Sequence, residues 1–326
     1  VPNTHISAHP GEGRDPDSAA VWAEHSLTPP LNDLDPGLRR DERWGGRVRV
    51  AIAAVAASLA ISAPAVASPR VVALDQCADQ YVLALSPRES IAGLSYRADD
   101  ADSFLRREAS GLPQVRVTTE SILAARPQLV VRYWGGDPAL EAALVRRGVP
   151  VVRVEEATDF DGLRDNVRRV AAALDQPARG QAMIDRMNRQ LSASAGAWKG
   201  RPALYLTPSG YTAGGGTLVD RILRAAGMTN AAPHAGFAAV PLEDVVLKPT
   251  RGFVLGFFDQ LSAAFARWGM GRHRALQKRL PTQTLASLPA SVLSCPGWFA
   301  ADGVEMLARA APRGAPHGAP SPMGAR

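Results

Sequence analysis

Two stretches far apart in the chain are built alike, and this echo limits the fold more than any other feature. TTESILAARPQLVVRYW at 118–134 and PLEDVVLKPTRGFVLGF at 241–257 each place a glutamate, Glu120 or Glu243, in the first turn of a helical run. Apolar residues follow, a proline breaks the run, and a strand comes next. Proline ends a helix because it pushes the residue before it out of the α region. Helix–strand units in alternation imply a mostly parallel sheet covered on both faces. A repeat of such a unit predicts two similar α/β lobes.

The segments around the echo fit that plan. PRVVALD at 69–75, SIAGLS at 90–95, QLVVRYWGG at 128–136 and VPVVRVE at 149–155 are predicted strands of a first lobe, 68–156. Helices are expected at 77–85, at 118–127 with Thr119 as cap, and at 138–148 with proline near the start and glycine at the end. Residues 157–196 form a connector. Leu163, Val167, Val170, Ala171 and Leu174 make one apolar stripe there, and Met183, Ile184 and Met187 make another, with an interruption near Gln176–Pro177. Two packed surface helices are one reading of this pattern, and a long helical spine between lobes is the sharper one. A second lobe, 197–310, opens with RPALYLTP at 201–208 and holds a helix closed by Gly227. It ends in SVLSCPGWFAADGVEMLARA at 291–310, expected as a strand, an aromatic loop and a helix. The Pro/Gly/Ala-rich tail, 311–326, is expected to be frayed.

Upstream of the first lobe, RWGGRVRV at 43–50 precedes an apolar run from Ala51 to Ala63 and then PAVAS, with Ala65 and Ala67 at small-residue positions. A basic start, a short apolar run and an A-x-A end are the parts of a secretory signal, assigned to 44–67, with a mature start near Ser68. The run is short for a membrane span, and residue 68 is not the cysteine of a lipoprotein junction. A periplasmic product is expected. Residues 1–43 are polar, without helical or strand period, and are expected to be disordered or a spurious upstream extension, with translation starting near Val48 or Val50.

Composition narrows the function. Formal net charge is +6; the first 67 residues hold six of the 37 basic and eight of the 31 acidic residues, so the remainder is basic by eight. The arginines are spread among acids and do not alternate with aromatics, so no nucleic-acid partner is expected. Two cysteines cannot make a thiolate site of three or four ligands, and no metal or cofactor is expected. His234 and His273 lack ligand-spaced partners. Gly214–Gly216 lack the Lys-Ser/Thr ending of a phosphate loop, and LTPSG at 206–210 is not a nucleophile elbow. No catalytic residue is assigned. An exported α/β enzyme is the alternative, and it would need convergent polar groups in the same cleft.

Ligands of open α/β sheets bind beyond the C-terminal strand ends. Those ends carry Asp75, Gln76 and Cys77; Tyr133, Trp134, Gly135 and Gly136; Pro208 to Tyr211; Phe257 to Asp259; and Cys295 to Phe299. Aromatic-rich loops on a rigid scaffold suit a large, partly apolar ligand.

From about Pro69 to Ala310 the chain resembles the periplasmic solute-binding proteins of cobalamin, haem and iron-siderophore ABC importers. The VVALD-like first strand, ESILAARPQLVV, the spine, PLEDVVLKP and the C-terminal aromatic loop carry the resemblance. It implies two Rossmann-like lobes, a ligand cleft between them, no catalysis, and a monomer when free. It also implies that Glu120 and Glu243 dock on arginine-lined pockets of a permease dimer coupled to ATPase subunits. Tyr133-Trp134-Gly135-Gly136 resembles the W-x-G-G loop of cobalamin-binding members, with the tryptophan displaced by one. Trp298 and Phe299 resemble the aromatic pair of the second lobe. These favour a flat macrocycle, cobalamin first, with haem or a ferric siderophore as alternatives; Tyr96, Tyr133 and Tyr211 are candidate haem ligands. Cys77 departs from the small polar residue usual there. Because Cys77 and Cys295 fall on cleft edges, one per lobe, they could form a cross-lobe disulfide in an oxidising compartment; two free thiols are the other reading, and the sequence does not choose between them.

Overall fold

The computed structural model describes residues 68–133, 137–247, 252–260 and 269–312, all within the contact unit Ala63–Arg326. The expected upstream extension and signal, most of the tail, and Trp134, Gly135 and Gly136 lie outside the described residues.

The first lobe runs β1 (Val71–Ala73), α1 (Gln76–Leu85), β2 (Ile91–Gly93), α2 (Thr119–Ala124), β3 (Leu129–Arg132), α3 (Pro138–Arg146) and β4 (Val151–Arg153). Its sheet is parallel, in the order β2-β1-β3-β4. The second lobe begins with β5 (Pro202–Leu206), β6 (Tyr211–Ala213), α6 (Leu218–Ala225), β7 (Thr229–Asn230) and β8 (Phe237–Ala239). It continues with α7 (Leu242–Leu247), β9 (Gly252–Gly256), α8 (Arg274–Gln277), α9 (Leu280–Gln283), β10 (Thr284–Leu288), α10 (Ala290–Leu293) and α11 (Ala300–Ala310). Its main sheet, also parallel, reads β7-β5-β9-β10 from one edge. The two orders are the same. The echoed segments, α2–β3 and α7–β9, fill the same place in each lobe, so the sequence repeat is a topological one. The antiparallel ribbon β6-β8 belongs to the second lobe only.

Three local expectations are corrected. The cap of α2 is Thr118, whose extended backbone lets its hydroxyl accept from the Ser121 N–H, rather than Thr119. Residues 290–293 form the helical turn α10 instead of a strand; the strand is the preceding β10, which stops before Pro289, and a short apolar run does not by itself distinguish the two. The single long spine is two helices, α4 (Phe160–Ala173) and α5 (Pro177–Ser194). The chain reverses between them, where Asp175 takes a left-handed φ of 57°. The pair runs antiparallel. Gly180 of α5 lies so close to Ala171 of α4 that an added Cβ would come within 2.5 Å of its Cβ, and Arg164 donates to Asn188 at 2.9 Å. α4 packs on the first lobe, while α5, about 27 Å long at 1.5 Å per residue, packs along α11 of the second.

The lobes share one core. A single apolar cluster joins Val71, Tyr81, Leu85 and Val167 to Tyr205, Val254, Trp298 and Phe299. Smaller clusters back each sheet, with Val72, Ile122 and Val130 behind the first and Leu206, Phe253 and Leu255 behind the second. At the seam, Phe104 stacks on Phe299 with centroids 4.4 Å apart, Trp298 meets Tyr81 edge-on at 5.4 Å, and the Tyr81 hydroxyl donates to the Pro296 carbonyl at 2.9 Å. Nearly all of α1 is buried, including three polar residues. Each holds the long segment after β2. Gln76 donates to Asp102 at 2.9 Å, Gln80 bonds Ser103 and Leu105, and Asp79 accepts both the backbone N–H and the hydroxyl of Ser95.

Two outcomes follow for stability. Phe299→Ala should cost about 3–5 kcal/mol in urea unfolding, the range for deleting a buried aromatic. Burial raises the carboxyl of Asp79 to about 7, against its hydrogen bonds to Ser95. The folded chain therefore binds this proton more tightly than the unfolded one. Its stabilising contribution is full below the ordinary carboxylate range and is lost as pH rises through about 7. Asp79→Asn should remove that component of the slope between pH 4 and 7, measured as midpoint against pH.

Candidate functional site

The strand order of the first lobe reverses direction between β1 and β3, the switch point where such sheets open a crevice. Asp75 spans it. One carboxylate oxygen accepts from Cys77 and Ala78 at the start of α1, and the other accepts from the Tyr133 N–H at 2.7 Å, just beyond β3. Burial raises its pKa, opposed by these three N–H groups and by Arg132. Asp75 thus ties two strand ends together and fixes the crevice floor.

Two adjoining cavities open here, of about 380 and about 370 Å3. The first is walled by Asp75, Gln76, Cys77, Ser95, Tyr96, Arg97 and Arg132 of the first lobe and by Ser294 of the second. The other lies between lobes, with Tyr133 and Glu156 on one side and Thr217, Leu218, Phe237, Val292 and Pro296 on the other. Ser294 lines both. Between them Cys77 and Cys295 form a disulfide, with Cα atoms 5.3 Å apart. Beside it the Ser294 hydroxyl donates to Asp102 at 3.2 Å.

The predicted residues divide. Asp75, Gln76, Cys77 and Tyr133 stand at the cavities, and Cys295 completes the bridge. Trp298 and Phe299 do not line the cleft. They are 7% and 0% exposed and fill the core under it, because the bridge pulls the loop inward and their apolar rings pack on Tyr81 and Phe104. Trp298 instead touches a separate cavity beside Phe104 and Met183. Tyr211 is half exposed but lines neither cleft cavity; Phe237, on the opposite ribbon strand, lines one. Pro208 and Asp259 are also spent locally. Pro208 packs against Gly271, and the Asp259 carboxylate accepts from the Ala290 N–H.

The sequence pointed to Tyr96 only as a haem ligand and not to Arg97, Glu156 or Phe237. Three of them had a legible signal. Tyr96 and Arg97 follow β2, and Glu156 follows β4, so the strand-end rule applied to all four strands of the first lobe finds them. Phe237 begins a ribbon strand that no periodicity marked.

The Tyr133 hydroxyl donates to the Glu156 carboxylate. Burial and this bond hold the phenol above its ordinary range, so Tyr133 keeps its proton and stands at the cavity as a hydrogen-bond donor to Glu156 and an aromatic wall. Tyr96 is 67% exposed at the cavity mouth. Among the described residues no group of three or more His, Cys, Asp or Glu is placed to hold a metal ion, and no helix is long and apolar enough to cross a membrane. Glu120 and Glu243 are exposed on the first turns of α2 and α7.

The bridge closes a loop across 218 residues. Its reduction should destabilise the fold by about 2–5 kcal/mol, read as a lower unfolding midpoint with reductant than without. Alkylation before reduction should label neither cysteine.

Comparison with known proteins places this arrangement. Residues 71–246, more than half of the chain, match the model of the family described as periplasmic binding protein. Among solved structures, the chain is similar to the periplasmic haem-binding protein RhuT from Roseiflexus sp. RS-1 in apo form, at 22% identity and a TM-score of 0.59, covering 74% of this chain and 97% of that one. The periplasmic haem-binding protein BhuT in complex with two haems matches at 23% identity and TM-score 0.57, over 74% and 97%. The periplasmic vitamin B12 binding protein BtuF of Vibrio cholerae matches at 20% and 0.52, over 75% and 96%. No curated protein matches the chain. With two lobes of equal strand order around one cleft and a family match that spans the first lobe and runs into the second, the chain belongs to the periplasmic binding proteins.

Proposed function

We propose that this protein is the solute-binding component of an ABC importer, exported to the periplasm by the 44–67 signal, and that it captures a metal chelate in the cleft and hands it to a permease. The observation that carries the reading is the cleft between the lobes. Two cavities, each in the size range of small-molecule sites, adjoin at a point where both lobes contribute walls and a covalent bridge sets their spacing. The first cavity offers polar groups and the second offers Tyr133, Phe237 and aliphatic walls, a combination that suits a large, partly apolar ligand. The similarity to B12-binding and haem-binding proteins supports a macrocyclic chelate.

Cobalamin is the first reading and rests on the Tyr133–Gly136 loop. The loss of Trp298 and Phe299 from the wall removes its second sequence support. Haem is the other reading, favoured by the exposed phenol of Tyr96 beside Arg97 at one cavity. Glu120 and Glu243 supply two exposed anions, one per lobe, for registering the protein on two permease subunits.

Purified protein titrated with cyanocobalamin, haemin and a ferric siderophore should show saturable tryptophan quenching by at least one of them at micromolar concentration or below; silence toward all three rejects the chelate reading. The double change Glu120→Ala and Glu243→Ala should leave that affinity within about twofold and reduce uptake through the cognate permease several-fold. Unchanged uptake removes the docking assignment.

A further inference from the structure

The charges at the cleft are arranged against one kind of chelate. Two arginines line the first cavity, and carboxylates of the same lobe hold both. The Arg97 Nε donates to Asp100 at 2.8 Å, and its Nη2 lies 3.5 Å from Asp102. The Arg132 Nη1 lies 3.0 Å from Glu141, a carboxylate that also pairs with Arg153, and Arg132 is close enough to Asp75 to lower its pKa. A guanidinium clamps a ligand carboxylate by offering a free fork of N–H donors and an uncompensated charge. Both guanidiniums are thus already engaged by carboxylates, Arg97 by two and Arg132 by one that it shares with Arg153.

The second cavity is more one-sided. No Lys, Arg or His lines it among the described residues. Its one carboxyl wall group is Glu156, exposed, with the Tyr133 hydroxyl as hydrogen-bond donor and no basic partner among the described residues. A carboxylate accepts up to about four hydrogen bonds, so Glu156 has sites left for N–H donors of a ligand. The exterior has the opposite character, since the chain after residue 67 is basic by eight. The polarity of the cleft is therefore local.

We infer that Glu156 is a specificity-determining residue that makes the cleft select a chelate with an uncharged, amide-bearing rim over one rimmed by carboxylates. This rests on the chelate-binding reading above. Amide N–H groups can donate to Glu156, whereas a ligand carboxylate placed there meets a like charge with no cation to offset it.

The test compares dissociation constants of the purified protein for cyanocobalamin, whose rim is amides, haemin, which carries two propionates, and ferric citrate, at neutral pH and low salt. The same set is measured for Glu156→Gln, a change of equal shape at an exposed position, with its unfolding midpoint checked against the parent. Cyanocobalamin should bind the parent at least tenfold tighter than either carboxylate chelate. Glu156→Gln should raise haemin affinity about fivefold or more and lower that for cyanocobalamin by about threefold or more, because the charged acceptor for its amides is lost. Tighter binding of haemin or ferric citrate by the parent, or an unchanged haemin-to-cyanocobalamin ratio in Glu156→Gln, overturns the inference and leaves the chelate reading standing. Binding of none of the three overturns both.

Discussion

The seam at Ser294–Phe299 is the interaction on which the rest of the molecule depends. This short segment of the second lobe is pressed against α1 and the 102–104 segment of the first by three kinds of force. The Cys77–Cys295 bond is covalent, the Tyr81–Pro296 and Ser294–Asp102 contacts are hydrogen bonds, and Trp298 and Phe299 bury their rings against Tyr81 and Phe104. Burial of one such ring is worth roughly 1.5–3 kcal/mol. Because of this seam the lobes share a core, and the cavities on either side of the bridge have a preset width. A site held open in its binding geometry does not lose ordering entropy when the ligand arrives.

The two lobes repeat a topology without repeating a role. Both place the first strand second in the sheet and the echoed strand third. In the first lobe, residues just past all four strands reach the cavities: Asp75, Tyr96, Tyr133 and Glu156. The second lobe contributes from the entry to α6, from the ribbon and from the turn after β10, while the ends of β5 and β9 are closed by local packing around Pro208 and by the Asp259 cap on α10. One lobe supplies the polar floor, and the other supplies an apolar cover.

Polar residues in α1 show how the site is held rather than formed. Gln76, Asp79 and Gln80 would suit a surface helix by composition, yet they are buried. Each spends its hydrogen-bonding groups on the segment from Ser95 to Leu105. A loop that carries Tyr96 and Arg97 to the cavity is thereby fixed at several points along its backbone, as buried polar groups must be paired to be tolerated.

The amino-acid sequence alone determined the lobes, the alternation of strand and helix, the repeat, and the strand ends where a ligand site would form. These depend on local propensity, on proline and glycine, and on hydrophobic period, all of which act over a few residues. Asp75, Gln76, Cys77 and Tyr133 were legible as residues at the cavities for the same reason. Only the tertiary structure decided which aromatic rings face the cleft. Trp298 and Phe299 turn inward because the bridge from Cys295 and the pocket between Tyr81 and Phe104 draw them there, a matter of partners about 200 residues away in sequence. The antiparallel α4–α5 pair and the arginine–carboxylate pairing at the cavity join residues near in sequence, yet they too depend on how adjoining segments fold back on one another, Gly180 on Ala171, Asp102 on Arg97 and α3 on β3. A residue's type tells what it can do; its direction is set by what packs against it.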